Sequence, residues 1–398
     1  MYYNYFKDDK LSALGFGLMR LPVLEDGKTV DSALTEKMVA LAIGNGVNYF
    51  DTAVPYHCGR SESVIGDILS AYPRDSFFLA DKYPGHQHAE SYDPASTFEE
   101  QLRRCKVEYF DYYLLHNICE SSWDVYSDAK WGILEYFVEQ RRLGRIRHLG
   151  FSSHADVEAL KMILDSPYGA EMEFCQIQLN YVDWTLQKAK DKCALLASYG
   201  IPIWVMEPVR GGKLASMSPD VTASMRASRP DESTASWAFR WLQDVPGVTM
   251  ILSGMSSMEQ VVDNLKTFSF RGALTQAEKA LLDKAVGDML DSVPCTECRY
   301  CTEGCPMGLD IPMLIKAYND LSLQFSLTPM MRIEALPENE MPSACLQCGA
   351  CSRICPQKID IPSVLSSLDE LYSKSPKWSE ICKVRAAEAA RLAAEGTI

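Results

Sequence analysis

Eight of the fourteen cysteines in this 398-residue chain fall between Cys295 and Cys355, in two runs of one pattern. Cys295, Cys298, Cys301 and Cys305 precede Pro306; Cys345, Cys348, Cys351 and Cys355 precede Pro356. Each run reads C-x2-C-x2-C-x3-C-P. Three thiolates at two-residue gaps can each take one corner of a cubane, and the proline turns the chain away just after the fourth. The pattern points to two [4Fe–4S] clusters. Zinc competes for paired C-x2-C units, but its four-ligand sites give no reason for a fourth cysteine and proline in each run. A disulfide framework suits short exported chains. This chain is long, and its start has no charged stretch followed by an apolar one, so no export signal is expected.

The repeat extends past the ligands. Leu309-Asp310-Ile311-Pro312 recurs fifty residues on as Ile359-Asp360-Ile361-Pro362, and helical patterns follow both copies, over 313–323 and 363–372. The runs carry the signature of two-cluster ferredoxins. Their wide separation resembles the helical ferredoxin type, as in the iron–sulfur modules of fumarate reductase and heterodisulfide reductase. In two-cluster ferredoxins the fourth cysteine of each run ligates the other cluster. That implies one cluster on Cys295, Cys298, Cys301 and Cys355, and the other on Cys345, Cys348, Cys351 and Cys305. The tail has few large apolar residues, so the metal is expected to be part of its fold.

Upstream, short apolar runs alternate with amphipathic helical patterns. Strands are expected at 15–20, 47–51, 77–82, 111–116, 147–152, 174–179, 202–206 and 249–253. Helical segments between them include 35–43, 62–71, 97–107, 131–143 and 234–243. Eight strands alternating with helices over this length is the arithmetic of a (β/α)8 TIM barrel. A doubly wound sheet would need a phosphate turn. Gly15-Phe16-Gly17 continues as Leu18-Met19-Arg20, which is not G-x-G-x-x-G, and no Walker A sequence occurs. The expected fold is α/β: a barrel over 1–290, a small, mostly helical two-cluster ferredoxin-like domain over 291–375, and a C-terminal helix over 376–398. A formal charge of −14 without a basic block excludes nucleic acid and anionic membranes as partners. No apolar run is long enough to span a bilayer. The expected location is cytoplasmic.

A barrel places its chemistry at strand ends. Asp51 ends the second expected strand, Lys82 the third and His116 the fourth, with Tyr56 just past Asp51. Here the chain resembles the aldo/keto reductase family. Residues 47–56, VNYFDTAVPY, match its D-T-A-x-x-Y signature, and residues 144–153, GRIRHLGFSS, match its G-K-I-R-x-I-G-x-S-N block. The resemblance implies that Tyr56 is the proton donor to a carbonyl reduced by hydride. Lys82 would ease its ionisation, Asp51 would pair with the lysine, and His116 would orient the substrate oxygen.

It also implies a nicotinamide site for NADPH or NADH. Ser152, Ser153 and Gln176 fall at the amide contacts, although Ser153 departs from the usual Asn. Met206 stands where an aromatic commonly stacks on the ring. Gly212 and Leu214 lie in a strap over the pyrophosphate. Met19, Gly254, Ser256, Gln260 and Asn264 complete the set after the first and eighth strands, where the Arg or Lys that often grips a 2′-phosphate is missing. His86 and His88, in the loop after Lys82, line either the substrate mouth or a solvated loop. The leading reading is an NAD(P)H-dependent oxidoreductase acting on a small carbonyl or alcohol, coupled or fused to an iron–sulfur domain whose clusters serve an external electron-transfer protein, a further cofactor, or structure alone. The alternative is an electron-transfer or redox-sensing subunit whose barrel binds nicotinamide but turns over little. Nicotinamide exchanges electrons in pairs and clusters exchange them singly, and no flavin motif bridges the two.

Overall fold

The computed structural model describes residues 1–87, 89–289, 293, 295, 299–323, 325–355 and 357–394. Cys298, Pro356 and His88 lie outside the described residues. The chain divides into two compact units, residues 284–384 and the rest, with the last turns of the chain from Arg385 grouped with the first unit.

The first unit opens with an antiparallel hairpin, β1 (Tyr3–Phe6) and β2 (Asp9–Ser12). Eight parallel strands then close a barrel: β3 (Leu14–Gly17), β4 (Tyr49–Asp51), β5 (Phe78–Tyr83), β6 (Phe110–Leu115), β7 (Ile146–Ser153), β8 (Cys175–Gln178), β9 (Ile203–Met206) and β10 (Val248–Gly254). Each pairs with its neighbours in chain order, and β10 pairs with β3 to close the ring. All eight expected strands exist. Residues 18–20, expected to extend the first, instead turn away as a 3-10 helix.

The barrel is filled rather than hollow. Tyr49, Ala80, Tyr112, Leu114, Phe174, Trp204, Met250 and Leu252 point inward and form one buried cluster. Alternate residues such as Phe50, Leu79, Tyr113 and Phe151 point outward into the helix layer. Gly15 faces the filled interior: a Cβ there would lie 2.6 Å from Leu252 and 2.8 Å from Met250 Sδ.

The hairpin is absent from the sequence reading, since two four-residue strands with little apolar alternation leave a weak signal. It closes the N-terminal end of the barrel. Phe6 packs edge-on against Trp204 at 5.2 Å and His148 at 5.0 Å, and Tyr112 donates to Asp9 Oδ2 at 2.8 Å. His148 stands between Asp9 (3.3 Å) and Glu173 (2.8 Å).

The second unit repeats one motif. A short helix inside each cysteine run, Tyr300–Glu303 and Ala350–Ile354, leads into a longer one, Ile311–Leu323 and Ile361–Lys374. Asp310 and Asp360 accept the backbone N–H three residues on and cap the equivalent helices. Cys301 and Cys351 are both buried, among Leu309, Ile311, Ile315, Ile359, Ile361 and Leu365. The tail thus holds a buried aliphatic cluster of its own, although few large apolar residues were expected there. Helical spacing gathers these aliphatic side chains, with Met330 and Ile333 from a helix between the repeats, Leu327–Glu334. Among the described residues, no helix is long and apolar enough to cross a membrane.

Candidate active site and cluster cradle

Strand alternation sets the first two groups. In β4, Tyr49 points into the barrel and Phe50 outward, so Asp51 points inward; in β5, Ala80 points inward, so Lys82 does as well. The strands are adjacent, and both side chains are almost fully buried at their C-terminal ends. Lys82 Nζ donates to Asp51 Oδ1 at 2.5 Å and to the Thr52 carbonyl at 2.7 Å, and lies 3.4 Å from the Tyr56 hydroxyl.

Tyr56 is aimed by a strained loop. The three residues after it, His57 (φ 50°), Cys58 (φ 55°) and Gly59 (φ 91°), all take left-handed backbone conformations. For the two non-glycines this costs roughly 1 kcal/mol or more each. One tie is His57 Nε2, which accepts the Leu21 N–H at 3.1 Å. Burial holds the His57 imidazole below its ordinary pKa, suiting it to accept. His57 and Cys58 thus shape the loop beside Tyr56.

His116 follows β6 directly. Its N–H bonds the Tyr83 carbonyl at 3.0 Å, and its own carbonyl accepts from the Tyr126 hydroxyl at 2.7 Å. The imidazole stands perpendicular to the Tyr56 ring at 6.0 Å, with the His86 ring 4.3 Å away. His116 Nδ1 is buried and has no hydrogen-bond partner among the described residues. The four groups expected at strand ends are therefore in one cluster, and His86 belongs to the mouth beside them.

The electrostatics suit proton transfer. Burial pushes the Tyr56 phenol up, and the Lys82 ammonium pulls it back. Burial opposes the charge on Lys82, but Asp51 and Tyr56 outweigh it and keep the lysine cationic. Burial, aided by the neighbouring His86 imidazole and Lys82 ammonium, holds His116 well below the usual imidazole range. It is a neutral hydrogen-bonding group at pH 7.

Behind Lys82 lies a cluster the sequence reading did not find. Asp81 and Glu62 are fully buried, and their carboxyl groups hydrogen-bond each other. Burial first, then Glu62, raises Asp81 well above the carboxylate range, so a proton stays between them. Asp81 Oδ1 accepts the Lys82 N–H at 2.8 Å, and Arg104 pairs with Glu62 at 3.1 Å. The available signal was parity: with Lys82 inward, Asp81 must face the helix layer, where Glu62 occupies the buried side of Arg60–Leu69.

The expected cofactor residues divide into two groups. Gln176 is 3% exposed at the C-terminal mouth, and its Oε1 has no hydrogen-bond partner among the described residues. Such an orphaned buried acceptor fits a carboxamide donor. Ser152 Oγ accepts the Asn117 N–H at 2.8 Å and keeps its own O–H to donate. Met206 ends β9 partly exposed. Gly212 (φ 96°) has open space beside it and lies in the turn of the strap, which Arg210 ties to buried Asp183 at 3.1 Å. Ser256 bridges two loops: its Oγ donates to the Arg20 carbonyl at 2.7 Å, next to exposed Met19, and its N–H donates to Gln260 Oε1. Gly254 pairs with Gly17 at the same end.

The other side chains turn inward. Ser153 Oγ is engaged by backbone, donating to the Ile118 carbonyl in the loop after β6 and accepting from Ala155 N–H. Leu214 is fully buried. Asn264 is buried and donates to Ser253 Oγ at 2.8 Å.

In the second unit, one hollow is lined by Cys345, Cys348 and Cys351 from the second run and by Cys305 from the first, with Leu309, Ile311 and Leu365 behind them. No three His, Cys, Asp or Glu side chains among the described residues stand close enough to hold a single metal ion. Cysteines spread around a hollow suit a group whose corners, rather than one central atom, take the thiolates.

Comparison with known proteins bears on both units. Residues 13–286 match the family model described as the aldo/keto reductase family, and residues 294–359 match a 4Fe-4S dicluster domain. An uncharacterized oxidoreductase of Bacillus subtilis, YqkF, is 24% identical over 299 residues, covering 67% of this chain and 94% of the relative. L-Galactose dehydrogenase of Arabidopsis thaliana is 26% identical over 305 residues, covering 69% and 88%. Among solved structures, an aldo-keto reductase from Bacillus halodurans, AKR11C1, superposes with a TM-score of 0.57 at 23% identity, covering 72% of this chain and 96% of its own. An aldo/keto reductase from Klebsiella pneumoniae in complex with NADP and acetate does so at 0.57 and 21%, covering 71% and 95%.

Proposed function

The chain belongs to the aldo/keto reductase family, and from that premise we propose that it reduces a small carbonyl compound, or oxidises the corresponding alcohol, with Tyr56 as the proton donor. The observation that carries the reading is the buried chain Asp51–Lys82–Tyr56, with neutral His116 at its open end. When bound, nicotinamide supplies a hydride to the carbonyl carbon. The charge developing on the carbonyl oxygen calls for a proton and a hydrogen-bond donor at that point. Tyr56 delivers the proton from its hydroxyl, and the Lys82 ammonium stabilises the phenolate left behind. Asp51 and the Thr52 carbonyl fix that ammonium. His116 is placed to orient the oxygen.

Gln176 and Ser152 would hold the nicotinamide amide, Met206 would cover the ring, and Gly212, Gly254, Ser256, Gln260 and Met19 would contact the rest of the dinucleotide. The NADP complex of the Klebsiella relative supports this cofactor class. Ser153, Leu214 and Asn264 would act by holding the loops that carry the contacts.

The second unit would hold two [4Fe–4S] clusters. The shared hollow supports cross-ligation, with Cys305 joining Cys345, Cys348 and Cys351, and Cys355 joining Cys295, Cys298 and Cys301. Such clusters supply one-electron exchange.

The deciding test is Tyr56→Phe. Turnover of an aldehyde such as 4-nitrobenzaldehyde should vanish while quenching of protein fluorescence by NADPH persists. Near-normal turnover would refute the acid assignment.

A further inference from the structure

The loop of the second cysteine run differs in charge from the loop of the first. The chain carries a formal −14, yet residues 345–358 contain Arg353 and Lys358 and no acidic residue. Residues 295–308 of the first run contain Glu297 and Glu303 against Arg299. The second loop also leaves large aliphatic side chains in water: Leu346 is 63% exposed and Ile354 53%.

These features converge on a ligand position. Leu346 lines the same hollow as Cys305, Cys345, Cys348 and Cys351. Cys348 itself is exposed, and the Arg353 guanidinium donates to its carbonyl at 3.3 Å. Left-handed Gln347 (φ 56°) and Gly349 (φ 70°) turn the chain on either side of Cys348. An apolar spot beside a guanidinium, in a loop segment whose charged residues are all basic, is the anatomy of a surface that meets an acidic protein.

We propose that the loop around Cys348 is the docking surface for an acidic one-electron carrier protein, and that electrons pass there to and from the cluster held by Cys305, Cys345, Cys348 and Cys351. The exchange moves one electron, so that the carrier is oxidised as the cluster is reduced, with no bond made and no proton moved. The inference rests on the cluster reading above and adds the partner.

The test uses the full-length, anaerobically reconstituted protein and stopped-flow bleaching of the cluster absorbance. Reduced plant-type [2Fe–2S] ferredoxin, an acidic protein, is the probe; reduced methyl viologen, a small dye, is the control. With ferredoxin, the wild-type rate should fall about tenfold or more between low and high salt. Arg353→Glu with Lys358→Glu should slow the low-salt rate about tenfold and abolish the salt dependence. Leu346→Gln should slow the rate at every salt concentration. Viologen should bleach all variants alike. A ferredoxin rate indifferent to salt, or unchanged in these variants, would overturn the docking surface. So would equal rates with a reduced basic cytochrome c of comparable potential. Should Arg353→Glu fail to assemble its cluster, Lys358→Glu alone carries the same expectation at about threefold. Wild-type protein with no cluster absorbance for viologen to bleach would overturn the cluster reading itself.

Discussion

Replacing Lys82 by Met separates two roles of one ammonium. Its Nζ lies 3.4 Å from the Tyr56 hydroxyl and 2.5 Å from Asp51 Oδ1. At an effective dielectric of about 20, Coulomb's law gives about 5 kcal/mol between an ammonium and a phenolate at that separation. Asp51 opposes part of this, since its charge raises Tyr56, and the net advantage is about 2–4 kcal/mol. At 1.36 kcal/mol per decade, kcat for aldehyde reduction should fall about 30- to 1000-fold. The structural role is separate. The variant strands a buried carboxylate, and breaking a buried pair costs about 3–5 kcal/mol, unless Asp51 takes up a proton as its burial favours. The double variant Asp51→Asn with Lys82→Met should therefore recover most of the stability in urea denaturation without recovering kcat. The reasoning fails if the single variant folds, binds NADPH and keeps kcat within about fivefold of wild type.

The plug at the barrel's closed end should make stability depend on pH with two limbs. Burial lowers the His148 imidazole, but its hydrogen bonds to Asp9 and Glu173 and their charges raise it further. Its stabilisation is therefore complete below the ordinary histidine pKa of about 6.5 and lost as pH rises through the raised value. Burial opposes ionisation of Asp9 and Glu173, yet bonds to His148 bring both below their ordinary values. Their contribution is present above about pH 4.5 and lost as pH falls. Melting temperatures of His148→Gln across pH 5–9 should lack the neutral-to-alkaline decline that wild type shows from this site; identical slopes would refute the assignment. Gln176→Leu removes the orphaned acceptor and should weaken nicotinamide binding about tenfold by calorimetry, and unchanged affinity would remove it from the site. Cys305→Ser should alter the electron paramagnetic resonance signal of the cluster on Cys345, Cys348 and Cys351; a change confined to the other signal would refute cross-ligation.

The parts of this protein legible in its sequence are those governed by local periodicity. Short apolar runs set between helical patterns marked every barrel strand, and the position of Asp51, Lys82 and His116 at or next to strand ends marked them for the mouth before any contact was known. The fifty-residue repeat likewise marked the paired helices that follow Leu309-Asp310-Ile311-Pro312 and Ile359-Asp360-Ile361-Pro362. What the sequence left undetermined depends on contacts between residues far apart in the chain. The hairpin plug exists because Phe6 finds Trp204 and Asp9 finds Tyr112. The raised pKa of Asp81 arises only where strand β5 and the helix Arg60–Leu69 bury its carboxyl against that of Glu62. Asn264 matches a motif by type and spacing and Ser153 by spacing alone, yet tertiary packing turns their side chains inward, where a buried polar group must take the partner that is nearest. Residue type and spacing determine which groups are available to a site; burial and long-range contact decide which way each one points and how it holds its proton.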